Sequence, residues 1–448
     1  VANAIRRIAK GEAIIKRTGP PYVEPSATDD VAARRLGSRL IQRLALPLAL
    51  LTFVNAIDRV NISFAADAMR ADLALSPEAF GFGVSAFFVA YLLFQYPHAA
   101  LLRRYGIRRW LLGTVMLWGL AGVLLACIAS DVEFVAVRFL LGIAEAGFAP
   151  GITWIINRWL PEQVRAKAMA TVLAAVPLSL VLGGPLCGWM LGLGGPAGIS
   201  AWRWMFLFQA LPNVLLAALA FGYFPDDLGR SSWLTPSERK LLASAAAPGV
   251  AEPIGASIRD PRVWRCALAW LLVMTGAYAL VFWLPQLVRQ MHIGHTEFEI
   301  GVLAAFPQLG LVLGLIANGR HSDRTGERQW HVGLAAMLGG VALLAGALFP
   351  PNWTALLLFA IAGFGIGGAQ SVFWALPSAM GIGSDRISVA AISLISMCGT
   401  VGGVIGPMLI GMVQQMTGSF LPSLVTLALM LVAGGIMVIP LSREGKVA

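Results

Sequence analysis

Apolar runs of about 20 residues follow one another along nearly the whole chain, separated by short polar or basic loops. As a helix, each run is about long enough to cross a hydrocarbon core of roughly 30 Å. The pattern predicts twelve spans, at 43–65, 80–102, 110–129, 133–156, 166–192, 203–224, 265–288, 298–318, 331–349, 353–378, 386–414 and 419–440. It divides the chain into a basic, disordered extension (1–40), a first six-helix bundle (41–224), a connector (225–262), a second six-helix bundle (263–440) and a tail (441–448). Within the connector, Thr235-Pro236-Ser237-Glu238 has the form of a capping box with Pro at the first helical position, which predicts a short surface helix. RRYGIRR at 103–109 and SDRTGERQW at 322–330 each join the second and third span of their six. A repeat at corresponding places is the mark of two related halves. The fold class expected is an all-α membrane protein of two pseudo-symmetric six-helix halves.

Charge then fixes orientation and excludes other classes. Lys and Arg crowd the N-terminus and the loops at 103–109, 158–167, 230–265, 320–328 and 443–446, whereas the alternate loops nearly lack them. By the positive-inside rule both termini are cytoplasmic. The formal charge of +10 therefore belongs to membrane topology, and nucleic acid is not expected as a partner. With 58% hydrophobic and 12% charged residues, the lipid bilayer is the partner and a membrane the location expected. Residues 1–43 lack the apolar core of a secretory signal, so the first span is expected to target the chain. Cys127, Cys187, Cys266 and Cys398 are far apart and read as packing residues. No metal cluster, Walker motif or catalytic triad stands out, so neither a cofactor nor an enzyme is expected. The glycine strings at 363–370 and 399–407 carry small-xxx-small spacings suited to close helix contact.

Four charges interrupt the apolar runs of the first half: Asp58 and Arg59, and then Arg138 and Glu145 in VRFLLGIAEAGFAP. Seven residues turn a helix through about 700°, so Arg138 and Glu145 share a face. Intramembrane ionisable groups usually face a bundle interior or a water-filled path. Arg donates two parallel hydrogen bonds to a carboxylate, which makes Arg59 the candidate anion site, with snorkelling to the interface as the bland alternative. Arg138 either serves cargo or forms a permanent ion pair with Asp58 that staples two helices. Glu145 lies among Gly142, Ile143, Ala144, Ala146 and Gly147, where burial disfavours charge, and is the candidate proton carrier. Asp58, beside Arg59, is a second proton site of different affinity. The second half lacks charge inside its spans; Tyr278, Gln286, Gln308, Gln370, Ser371 and Trp374 are its polar or aromatic candidates for reading cargo shape.

NAIDRVNISFAADAMRADLALSPEAFGFGVSAFFVAYLLFQYP, VRFLLGIAEAGFAPGITWIINRWLP, GGPLCGWML, FWLPQLV, GRHSDRTGERQWHV and FWALPSAM together resemble the anion:cation symporter family of the major facilitator superfamily, from about residue 40 to 440. The likeness falls nearest its tartrate, phthalate and hydroxyphenylacetate permeases. The resemblance implies import of a small organic carboxylate with protons, by alternating access and as a monomer. It implies that Asp58 and Arg59 match the first-helix acid and base, Tyr91 the second-helix tyrosine, Arg138 and Glu145 the fourth-helix pair, and Ser371 and Trp374 tenth-helix positions facing substrate. Gln95 stands where relatives often carry Glu, and Ser396 and Thr400 where the eleventh helix often carries Asn. Arg103 replaces the acid of the superfamily's loop motif. A reversed cytoplasmic latch of Arg103 with Asp385 is therefore one expectation, and a pair of Asp323 with Arg165 or Lys167 another. Competing functions are a drug/proton antiporter, hinted at by Gly184-Pro185 and Gly188, and a transporter-like nutrient sensor.

Overall fold

Inside hydrocarbon every backbone polar group must find its partner within the segment, which leaves the helix as the local solution for apolar runs of this length. A computed structural model describes residues 36–226, 259–379 and 389–439, with 228, 231, 233–236, 238 and 239 of the connector. Most of the extension, the tail, Asp385 and its expected latch lie outside the described residues. Among the described residues, eleven helices are long and apolar enough to cross a membrane. The longest, Pro77–Cys127, is two spans in one: Gly106, at φ 78° and ψ 171°, breaks it inside RRYGIRR. The spans are thus Leu46–Leu73, Pro77–Cys127 on either side of Gly106, Asp131–Trp159, Val164–Gly192 and Ala201–Tyr223 in the first half. The second half holds Pro261–Gln290, Glu297–Thr325, Gln329–Leu348, Trp353–Phe373, Val389–Thr417 and Leu421–Val438. Twelve spans follow, as the hydropathy predicts.

The repeat has a geometric counterpart. Gly326, at φ 70°, turns the chain between the eighth and ninth spans as Gly106 does between the second and third. Only a residue without Cβ takes such φ freely, so a glycine stands at both turns. The connector's expected cap also forms: Thr235 N–H donates to Glu238 Oε2 at 2.8 Å, and Glu238 N–H to Thr235 Oγ1 at 3.3 Å.

The outer surface is apolar. Leu211, Leu215 and Leu219, one stripe of the sixth span, are each about 60% exposed, which suits lipid rather than water. Between helices, small residues carry the packing. Gly310 and Gly314 of the eighth span meet the carbonyls of Ala360 and Phe364, while Gly363 and Gly367 of the tenth meet those of Pro307 and Leu311. A methyl group at any of the four would overlap a carbonyl oxygen, so these two helices pack backbone to backbone.

The two halves meet closely at the face opposite the basic loops. Gly301 of the eighth span lies against Gly184 of the fifth, and Gly188 against the Glu297 carbonyl; by the pseudo-symmetry Gly81 of the second lies against Pro407 of the eleventh, and Gly411 against the Pro77 carbonyl. Gly184-Pro185 and Gly188 thus help to hold the halves together. Polar contacts cross at the same face. Arg289 pairs with Asp67 at 3.1 Å and donates to the Phe64 carbonyl at 3.3 Å, Ser85 Oγ donates to the Val404 carbonyl at 2.7 Å, and Arg70 Nη1 donates to Gln286 Oε1 at 3.5 Å. A cavity of about 290 Å³ begins near mid-membrane and extends toward the basic loops, walled by both halves. These contacts make this conformation closed on the side opposite the basic loops.

Candidate substrate and proton site

Arg59 stands at the middle of Leu46–Leu73, one turn beyond Asn55. Its mid-helix place rules out snorkelling, because the side chain turns inward. Arg59 Nη2 donates to Glu145 Oε2 at 3.0 Å, Nε donates to the same oxygen at 3.4 Å, and Nη2 reaches Asn55 Oδ1 at 3.4 Å. The guanidinium lies 5.3 Å from the Phe87 ring centre and 5.1 Å from that of Tyr91, within cation–π range of both. Arg59 also lines the 290 Å³ cavity with Asn55, Tyr278 and Gln370. Its Nη1 has no hydrogen-bond partner among the described residues.

Glu145 is fully buried, and its Oε1 accepts no hydrogen bond among the described residues. Its place depends on a break in the fourth span, where helix Asp131–Glu145 stops and Phe148–Trp159 starts. The carbonyl of Ile143, which keeps a backbone bond from Ala146 N–H at 3.4 Å, also accepts from His98 Nε2 at 2.8 Å, and the imidazole fills the space that Gly147 leaves empty. His98 therefore caps the break two residues from the buried acid. A His within an apolar run is itself a signal readable in the sequence.

The expected pairing of Asp58 with Arg138 does not form. Asp58 instead accepts from Asn213 Nδ2 of the sixth span. The neighbouring Asn61 Nδ2 donates to Gln209 Oε1 at 2.6 Å, so the Gln209 and Asn213 turn of the sixth span mates with the first. The reason is direction: Asp58 and Arg59 leave their helix about 100° apart, and only Arg59 faces the cavity. Beside Asp58, Asn61 and Asn213 lies a pocket of about 10 Å³, room for about one water. Arg138 is fully buried with its Nε, Nη1 and Nη2 all unpaired among the described residues, and lies 4.9 Å from the Phe87 ring centre. Phe87 is thus shared by two guanidiniums. Together Asp58, Arg59, Arg138 and Glu145 are formally neutral when all are ionised.

The remaining candidates divide. Tyr91 stacks on Phe87 at 5.9 Å, and Tyr278 packs on Phe88 at 4.7 Å, so both belong with Arg59. Gln286 belongs to the closed face instead, bonded to Arg70. Ser371 Oγ donates to the Gly368 carbonyl at 2.8 Å, and Trp374 ends its helix packed on Trp270 at 5.2 Å; neither lines the cavity. Gln95 is half-buried and Ser396 exposed, and neither lines the cavity. Ser371 and Trp374 follow the cavity-lining Gln370 on the tenth span without reaching the wall themselves, and no described residue of the helices carrying Gln95 and Ser396 lines it. Of the expected gates, Arg103 is exposed and borders a 230 Å³ pocket with His98. Asp323 pairs with Arg328 of its own loop at 2.7 Å, and Arg165 Nε donates to the Leu160 carbonyl at 2.8 Å. A partner five residues away wins over one in the other half in this conformation.

Comparison with known proteins fits this arrangement. The chain is 36% identical over 428 residues to a putative tartrate transporter of Agrobacterium vitis, covering 92% of this chain and 98% of that one. It is 34% identical over 404 residues to a quinolone resistance transporter of Acinetobacter baumannii, covering 88% and 92%. Among solved structures, a bacterial homolog of the human lysosomal transporter Spinster superposes with a TM-score of 0.74 at 20% identity, covering 89% and 96%. Residues 48–407 match the Major Facilitator Superfamily. With twelve spans in two halves around a central cavity, this chain belongs to the major facilitator superfamily and is a multi-pass membrane transporter of a small molecule, not an enzyme.

Proposed function

We propose that this chain imports a small organic carboxylate together with protons across the bacterial inner membrane, with both termini in the cytoplasm and the monomer as the working unit. The observation that carries the reading is the Arg59–Glu145 pair at 3.0 Å, half of which faces the cavity while the other half is fully buried. A cargo carboxylate that takes Arg59 must displace Glu145. Two carboxylates on one guanidinium would leave a buried negative charge unpaired, which costs several kcal/mol. Protonating Glu145 removes that conflict. The four-residue cluster then carries one net positive charge, contributed with Arg138, and an anion restores neutrality. Proton and anion thus bind as a unit, and closure around the neutral assembly is cheaper than closure around either charge alone. Asp58, away from the cavity and held by Asn213, is the second proton site in this reading; Tyr91 and Tyr278 orient the cargo.

The related quinolone resistance transporter motivates a second reading, a drug/proton antiporter. Arg59 in the cavity wall, with Arg138 buried behind it, favours anions over cationic drugs, and the antiporter reading requires the cargo to enter as the proton leaves. The two are separated by the pH dependence of binding. With phenylacetate, whose carboxylate stays ionised across the neutral range, symport predicts that the dissociation constant rises as pH rises, approaching about tenfold per pH unit once Glu145 is ionised in the empty protein. Binding that is flat with pH, or tighter at high pH, would contradict one-proton coupling.

A further inference from the structure

The chemistry of the cavity wall goes beyond its charge. Among the described residues, Arg59 is the single cation facing the cavity, and Asn55 Nδ2 beside it is buried without a hydrogen-bond partner. Away from this end the wall is apolar: Ile152, Val172, Val176, Leu180, Val281 and Phe282. Three hydroxyls reach it among the described residues. Two are turned back on their own helices, Thr52 Oγ1 donating to the Leu48 carbonyl at 2.8 Å and Thr153 Oγ1 to the Ala149 carbonyl at 3.1 Å. The third, Tyr278, sits with the aromatic group near Arg59. Gln370 Nε2 is directed at the Met274 sulfur at 3.5 Å.

A polyhydroxylated acid needs a donor or acceptor for each hydroxyl it brings out of water, and a site lacking them rejects it strongly. An aromatic ring asks only for apolar contact and rim aromatics. The size agrees: an apolar cavity of about 150 Å³ holds benzene, so 290 Å³ has room for one ring and a short arm carrying the carboxylate. We infer that the cargo is a carboxylate with a single-ring aromatic or similarly apolar body, its carboxylate on Arg59 and Asn55 and its ring among Val176, Val281 and Phe282. The inference rests on the carboxylate reading above and departs from tartrate, the cargo in the name of the Agrobacterium relative.

Binding to the full-length protein in detergent, followed by thermal shift and titrated fluorescence, tests it with charge-matched probes: phenylacetate against galactonate, and phthalate against tartrate. The aromatic member of each pair should bind at least about tenfold more tightly. That preference should fall toward one in Val281→Asn, which places an amide in the apolar wall, or in Val176→Asn if the first variant does not fold. Galactonate and tartrate binding as well as the aromatic acids would overturn the inference and leave the carboxylate reading standing. Binding of none of the four would remove both. An aromatic preference undiminished in a folded wall variant would take the ring out of this cavity, and so overturn the inference as well.

Discussion

Glu145→Gln is expected to abolish accumulation driven by a pH gradient while leaving exchange of labelled for unlabelled cargo measurable in liposomes. The amide keeps the shape of a protonated carboxyl but has no proton to release. The variant therefore holds the cluster at one net positive charge on both sides of the membrane, and an anion can bind and be carried either way. What is lost is the coupling, because the empty protein never returns with a neutral cluster. Burial makes the effect large: Glu145 is fully enclosed and its charged partner is 3.0 Å away, so its ionisation cannot be screened by water. Gradient-driven uptake at the wild-type plateau would move the transported proton to Asp58.

Arg59→Lys is expected to weaken cargo binding by about 1–3 kcal/mol, roughly fivefold to 150-fold, with charge unchanged. Lysine can approach either Glu145 or a cargo carboxylate as a point charge, but it cannot offer the planar fork whose Nη1 is now unpaired. It also loses the flat contacts with Phe87 and Tyr91. Titration of phthalate against wild type and variant reads the change directly. Equal affinity would place the anion elsewhere, with Arg138 the next guanidinium to test.

The architecture was legible from hydropathy because each span must satisfy its own backbone in lipid, and the twelve runs and the two glycine turns follow from that constraint. The capping box at Thr235 was legible for a similar reason, being local. The site was readable only as far as residue type goes. Four intramembrane charges announce themselves in sequence, but their pairing depends on how the first, fourth and sixth spans face each other. Asn213 takes Asp58 from a helix more than 150 positions away, and so Arg138 is left over Phe87 rather than paired. Likewise Gln286, Ser371, Trp374 and Ser396 have suitable chemistry, and their depth and rotation along their helices keep them out of the cavity wall. His98 stands out in the sequence as a polar residue in an apolar run, but its task, closing a break beside Gly147, exists only once the helices have packed.

Proton movement in sealed liposomes tests the central claim most directly. With a pH-sensitive dye inside and no initial pH gradient, phthalate added outside should acidify the lumen of vesicles holding wild-type protein, because each bound anion brings a proton with it. Vesicles holding Glu145→Gln protein and protein-free vesicles should show no acidification above passive leak. Labelled phthalate entering the wild-type vesicles with no change in lumenal pH would contradict proton-coupled carboxylate transport.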